Sequence, residues 1–198
     1  MDNITKILDF WFGEIKDGFT KENRGKLWYI AQEETDNKIK ELFMNLIVKA
    51  GNKELDWKQT AKGRLALIIL LDQFTRNVYR RTKKAFAYDK YALALCKEGL
   101  QLKHDKELCF VHRLFFYHPL QHSENLEDQK LSVKLTEQLK QEVPEQNKKK
   151  VESFLKYAKQ HHDIIEKFGR FPHRNEVLGR ESTEEELKYL KLGKRFGQ

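Results

Sequence analysis

The chain has 198 residues and a formal net charge of +8, with 34% charged and 39% hydrophobic residues. That is enough for one domain with a buried core, and 13 Phe with 7 Tyr exclude a disordered chain. The positive charge comes from lysines spread along nearly every helical face, which describes a solvated surface, so nucleic acid is not an expected partner.

The N-terminal "MDNITKILDFWFG" opens with an acid and lacks a basic segment followed by an apolar run, so it is not expected to act as a signal peptide. Apolar residues then recur at helical spacing of three and four. Ile39, Leu42, Leu46 and Ile47 predict a helix over 33–50, closed by Gly51 and Asn52. "LALIILL" at 65–71 lies in a helix over 60–79 buried almost all round, and is too short to cross a bilayer. Tyr91, Leu93, Leu95 and Leu100 mark a helix over 89–101. Cys109 to Phe116 mark another, ended near Pro119. Two more cover 125–141 and 146–168, with Ser123 or Asn125 as N-cap of the first. In the tail "STEEELKYL", Thr183 and Glu186 have the spacing of a capping box. No run alternates as a strand would. Cys96 and Cys109 have neither CxxC nor Cys/His spacing and read as reduced thiols, which fits a cytoplasmic location with no membrane partner.

The expected fold class is therefore all-α: one domain over 1–198, with antiparallel helical hairpins in a compact, tetratricopeptide-like superhelical array. No clean 34-residue repeat supports the array by self-similarity.

Lysine is absent from three windows, 63–82, 107–129 and 168–187, yet these hold eight of the ten arginines and four of the seven histidines. Burial explains the missing lysines but not the retained arginines. Arginine keeps its charge when desolvated and offers a planar fork of donors to a carboxylate or phosphate. The windows are therefore expected to converge on one partly buried polar cluster.

Each window carries a motif with two readings. In "LLDQFTRN", Asp72 and Arg76 share a helical face at i, i+4, as do Gln73 and Asn77; they form a site or an internal ion pair. In "YHPLQHSENLEDQ", His118 and His122 have metal-pair spacing, but Pro119 between them means that they need not share a face, and no metal is expected. In "YAKQHHDIIEKFGRFPHRN", His161 lies on an inner face and Gly169 suits the position just past a helix end. Pro172 can open a short helix there, leaving amides free near His173, Arg174 and Asn175; with Arg170 and Arg180 they would bind an anion. The competing reading has these arginines locked to Asp72, Glu124, Asp128 and Asp163. No P-loop, GxGxxG or GxSxG occurs, and no cofactor is expected.

"ILDFWFG", "LALIILLDQFTRNVYR", "QHSENLEDQ" and "FGRFPHRNEVLGRESTEEE", in this order, resemble the domain-of-unknown-function 924 family of bacterial proteins over nearly the whole chain. The resemblance implies an all-helical, tetratricopeptide-like fold and names no reaction. The family motif falls on Asp72, Gln73, Arg76, Asn77, His122, Ser123, Glu124, His161, Arg170, His173, Arg174, Asn175 and Arg180; His118 departs from it, since an apolar residue is usual there.

The function expected is a pocket for a small anionic ligand, held by Gln73, Arg76, Asn77, Arg170, Arg174, Asn175 and Arg180. If it is an enzyme, the acid and base come from His122, His161, His173, Asp72 and Glu124. The alternative is an adaptor whose helical groove grips a partner peptide, its arginines taking the peptide's carboxylates. A deep, closed pocket favours the first, an open concave face the second.

Overall fold

A computed structural model describes residues 1–192. The chain is predominantly helical, with one two-stranded hairpin.

Helix α1 (Asn3–Phe12) starts at Asp2, whose carboxylate accepts the Thr5 amide at 3.0 Å, and stops at Gly13, where φ is +66°. The hairpin follows: β1 (Ile15–Lys16) pairs antiparallel with β2 (Phe19–Thr20). This corrects the expectation of no strands. Two residues per strand are too few to show alternation, but Asp17 and Gly18 between them both take positive φ, as a tight primed turn requires.

Next come α2 (Gly25–Tyr29) and α3 (Glu33–Gly51), and then α4 (Ala61–Ile68), whose N-cap Thr60 accepts the Gly63 amide. The helix does not end at Ile68. It widens to π geometry over Ile69–Phe74 and returns to α in α5 (Thr75–Val78). Every residue of the π segment is buried, Asp72 included. Such widening often marks a functional site.

A single 3₁₀ turn (Lys83–Phe86) leads into α6 (Asp89–Gln101), and a second (His104–Glu107) into α7 (Phe110–Phe116). Pro119 does not end the helical path. It lies in the first turn of α8 (His118–Gln121), where its missing amide costs nothing. The rings of His118 and His122 thus stay together, centroids 5.6 Å apart, although the proline suggested they need not share a face.

Next come α9 (Leu126–Glu142), capped by Asn125, and α10 (Lys148–Phe168), which a short connection folds into a hairpin. Gly169 ends α10 in the left-handed conformation, as expected. After a 3₁₀ turn at Pro172–Arg174 come α11 (Asn175–Leu178) and α12 (Glu184–Leu192), the latter with the predicted capping box between Thr183 and Glu186. One continuous core joins α1, α3, α4, α6, α7 and α9, while Ile164, Ile165 and Phe171 form a small second cluster under the C-terminal segment. Among the described residues no helix is long and apolar enough to cross a membrane.

Candidate functional site

The three lysine-free windows meet in part, because several of their arginines are held elsewhere. Arg64 is fully buried and bonds to His104, the Leu95 and Lys58 carbonyls and Glu98. Arg113 joins Tyr117 and Glu142, and Arg80 grips Asp36. These are separate ties between helices. Absence of lysine marks burial, and several buried places each need their own paired arginine.

One cluster does gather residues from all three windows. At its centre the His122 Nδ1 lies 2.8 Å and 3.0 Å from the two carboxylate oxygens of Asp72. Gln73 donates to Asp72 at 2.6 Å, and the Arg76 guanidinium lies 3.2 Å from it. Burial opposes ionisation of Asp72, but Arg76 and then His122 overcome it and hold the carboxyl well below the usual range. An ionised carboxylate accepts only, so Nδ1 of His122 carries the proton and Nε2 the lone pair. Burial, aided by Arg76, outweighs Asp72 and keeps the His122 ring neutral.

Two more histidines adjoin. His118 donates from Nδ1 to the Leu114 carbonyl, and His161 from Nδ1 to the Tyr157 carbonyl, both at 2.8 Å. Carbonyls also only accept, so both rings share His122's tautomer when neutral. The His161 ring lies 6.0 Å from that of His122. His173 reaches the group through Phe171, which packs against both His161 and His173. Burial depresses His161 and His173 to about 3 each.

Arg76 links this centre to Asp89, at 3.0 Å, and Asp89 in turn faces Arg174 at 3.4 Å. Burial raises the Asp89 carboxyl despite both guanidinium groups. Arg174 is 6% exposed and stacked between Phe86 and Phe171, 4.7 Å and 4.4 Å from their centroids. Its Nε is buried and has no hydrogen-bond partner among the described residues, and burial lowers its pKa to about 10. Neither Asp89 nor Phe86 was expected in the site. They lie in the lysine-bearing stretch "TKKAFAYDK", where no motif spacing singles them out.

The remaining expected residues sit elsewhere. Glu124 accepts the Phe171 amide at 2.8 Å and forms two bonds with Arg180 at 2.7 and 3.0 Å, so the anion at the Pro172 turn is the chain's own carboxylate. Arg170 pairs with Glu186 through two bonds, and Asn175 donates to Ser182 and Glu186. Asn77 donates to Asp36 on α3. The lock thus holds Arg170, Arg180, Glu124 and Asn175, and the histidine centre holds Asp72, Gln73, Arg76, His122, His161, His173 and Arg174. Ser123 donates to Asp128, which is paired with Lys97 rather than with an arginine.

The family model for bacterial proteins of unknown function DUF924 matches residues 7–194. The chain belongs to DUF924. A solved structure, a protein of unknown function, ATU0120, from Agrobacterium tumefaciens, is similar to it with a TM-score of 0.81 and 35% identity, over 96% of this chain and 97% of that one. Among the curated proteins none matches. In this DUF924 chain the buried Asp72–His122 pair is linked to Arg174 through Arg76 and Asp89.

Proposed function

We propose that the histidine centre binds a small carboxylate- or phosphate-bearing molecule on Arg174 and uses the Asp72–His122 pair for proton transfer. Arg174 carries the proposal. A guanidinium has five N–H donors, yet among the described residues this buried one makes a single 3.4 Å hydrogen bond, to Asp89, with no partner on Nε. Leaving a buried cation this poorly bonded is costly unless a ligand completes it. The flanking Phe86 and Phe171 rings fix its plane, so little order is lost on binding.

His122 supplies the chemistry. Asp72 fixes its tautomer and would stabilise the imidazolium formed when Nε2 takes a proton from a bound water or hydroxyl. Because the ring is neutral at ordinary pH, it serves as base rather than acid in the first step.

The tetratricopeptide-like array and the cytoplasmic location belong to this proposal too. The α9–α10 hairpin supports the first and the free thiols Cys96 and Cys109 the second. In the adaptor alternative a peptide's carboxylates would take Arg170 and Arg180, but both already hold carboxylates of the chain. We therefore favour the small ligand.

The test is a thermal-shift titration with oxalate, phosphoenolpyruvate and inorganic phosphate. Saturable stabilisation by at least one of them, lost in Arg174→Gln and kept in Arg170→Gln, is expected. No stabilisation by any of the three, or equal stabilisation of Arg174→Gln, overturns it.

A further inference from the structure

A cleft separate from the histidine centre opens between the hairpin, α2, α7 and α10. Its volume is about 460 Å³, within the range of small-molecule sites. Its walls are aromatic: Phe19 from β2, Trp28 and Tyr29 from α2, and Phe154 from α10. Trp28 is anchored by its indole N–H to the Trp11 carbonyl at 3.0 Å, and Tyr29 stacks on Tyr157 with centroids 5.6 Å apart. The rings are therefore held in place before any ligand arrives.

The charges lining the cleft are Lys21, Arg24 and Lys150 against Glu22. Lys21 is already engaged with Glu14. Lys150 lies 5.0 Å from the centre of the Phe19 ring, and among the described residues it has no carboxylate partner. Arg24 is the more telling of the three. Among the described residues its buried Nε has no hydrogen-bond partner and its guanidinium no ion pair. Yet its place is built: a Cβ on Gly13 would collide with its Nη2 and Cζ, and Gly13 sits at φ +66°, where a side chain is strained. The chain makes room for this guanidinium, which also lines a neighbouring cleft with Asp9 and Glu34, yet among the described residues neither carboxylate forms an ion pair with it.

We infer that the cleft binds a planar aromatic ring bearing one anionic group, with the ring among Trp28, Tyr29 and Phe154 and the anion on Arg24 and Lys150. Aromatic walls favour a planar ring by stacking. Arg24 and Lys150, neither in an ion pair among the described residues, outnumber the single Glu22 carboxylate in the lining and so favour an anion, and the arginine fork favours an oxyanion. The inference does not depend on the proposal for the histidine centre.

Phenyl phosphate and adenosine monophosphate are the probes, with inorganic phosphate and phenol as half-ligands, read by tryptophan fluorescence because Trp28 lines the cleft. Saturable quenching by phenyl phosphate or adenosine monophosphate is expected. Arg24→Gln should weaken it tenfold or more and Lys150→Gln several-fold, both variants keeping the wild-type circular dichroism. Lys150 is exposed, so Lys150→Gln gives a clean reading even if Arg24→Gln folds poorly. Each half-ligand alone should bind at least tenfold more weakly. No saturable quenching at 10 mM, as an order of magnitude for the weakest useful site, overturns the inference. So does undiminished binding in Lys150→Gln, or loss of binding in Arg174→Gln, which would put the probe at the histidine centre.

Discussion

His122 and Asp72 form a buried, doubly contacted pair: Nδ1 meets both carboxylate oxygens, at 2.8 and 3.0 Å, across fifty residues of sequence. Asp72 also receives Gln73 and Arg76, so one carboxylate in a π-widened turn holds three side chains.

Asp72→Asn should therefore be among the most damaging single changes. Removing one partner of a buried ion pair costs roughly 3–5 kcal/mol because the other charge is stranded; here Asp89 still faces Arg76, so the lower end is expected. Urea unfolding measures it. A loss under about 1 kcal/mol, the worth of a surface pair, would mean that Asp72 does not organise the centre.

Stability should fall steeply in mild acid. Burial is the chief cause of depression at all five of these histidines: His112 is held at about 4, His161 and His173 at about 3, and His118 and His122 are also lowered. The unfolded chain titrates near 6.5, so it binds more protons than the fold below that pH. Stability is thus greatest above about pH 6.5 and drains away toward the folded values, at about 1 kcal/mol each for His112, His161 and His173 by pH 5.5, with a loss of the same sign from His118 and His122. Glu142 and Glu186, held at about 2, add a loss of the same sign below pH 4.5. Thermal midpoints from pH 8 to 4.5 check this; a flat profile between 6.5 and 5 would contradict it.

The C-terminal segment should detach locally when its lock is cut. Glu124→Gln weakens both bonds to Arg180 and the bond from the Phe171 amide. The expected cost is roughly 2 kcal/mol, confined to residues 170–180. Hydrogen exchange should accelerate there and stay unchanged in the α4 core; uniform acceleration would show that the lock supports the whole fold.

Gly99→Ala opposes two effects. Alanine gains about 1 kcal/mol in helix propensity. Its Cβ would stand 2.5 Å from both Arg64 Cδ and Phe116 Cζ, and Arg64 is pinned by the Leu95 and Lys58 carbonyls and by Glu98. Overpacking of this kind costs about 1–3 kcal/mol. A net loss of about 1 kcal/mol is expected; a gain in thermal midpoint would show that Arg64 can move.

Periodicity alone placed the helices over 33–50, 89–101, 125–141 and 146–168 within a few residues of those observed, because one buried face every 3.6 residues is a local signal. The capping box at Thr183 and Glu186 was equally local. The Asp17–Gly18 hairpin escaped because its strands are too short to alternate. The π segment escaped because Ile69 to Phe74 read as ordinary helix in any window.

The site was legible as residue types but not as partnerships. Of the eight arginines in the lysine-free windows, Arg64, Arg113 and Arg174 are buried, four are half-buried and Arg81 is exposed; burial excludes the flexible ammonium and tolerates the paired guanidinium. Whether a given arginine is matched depends on which carboxylate comes to face it. Glu124 faces Arg180 and Glu186 faces Arg170, while Arg174 is left with a distant share of Asp89. Helix positions and burial follow from short-range pattern. The division between a lock and an incompletely bonded centre is set by contacts up to 85 residues apart, which no local pattern encodes.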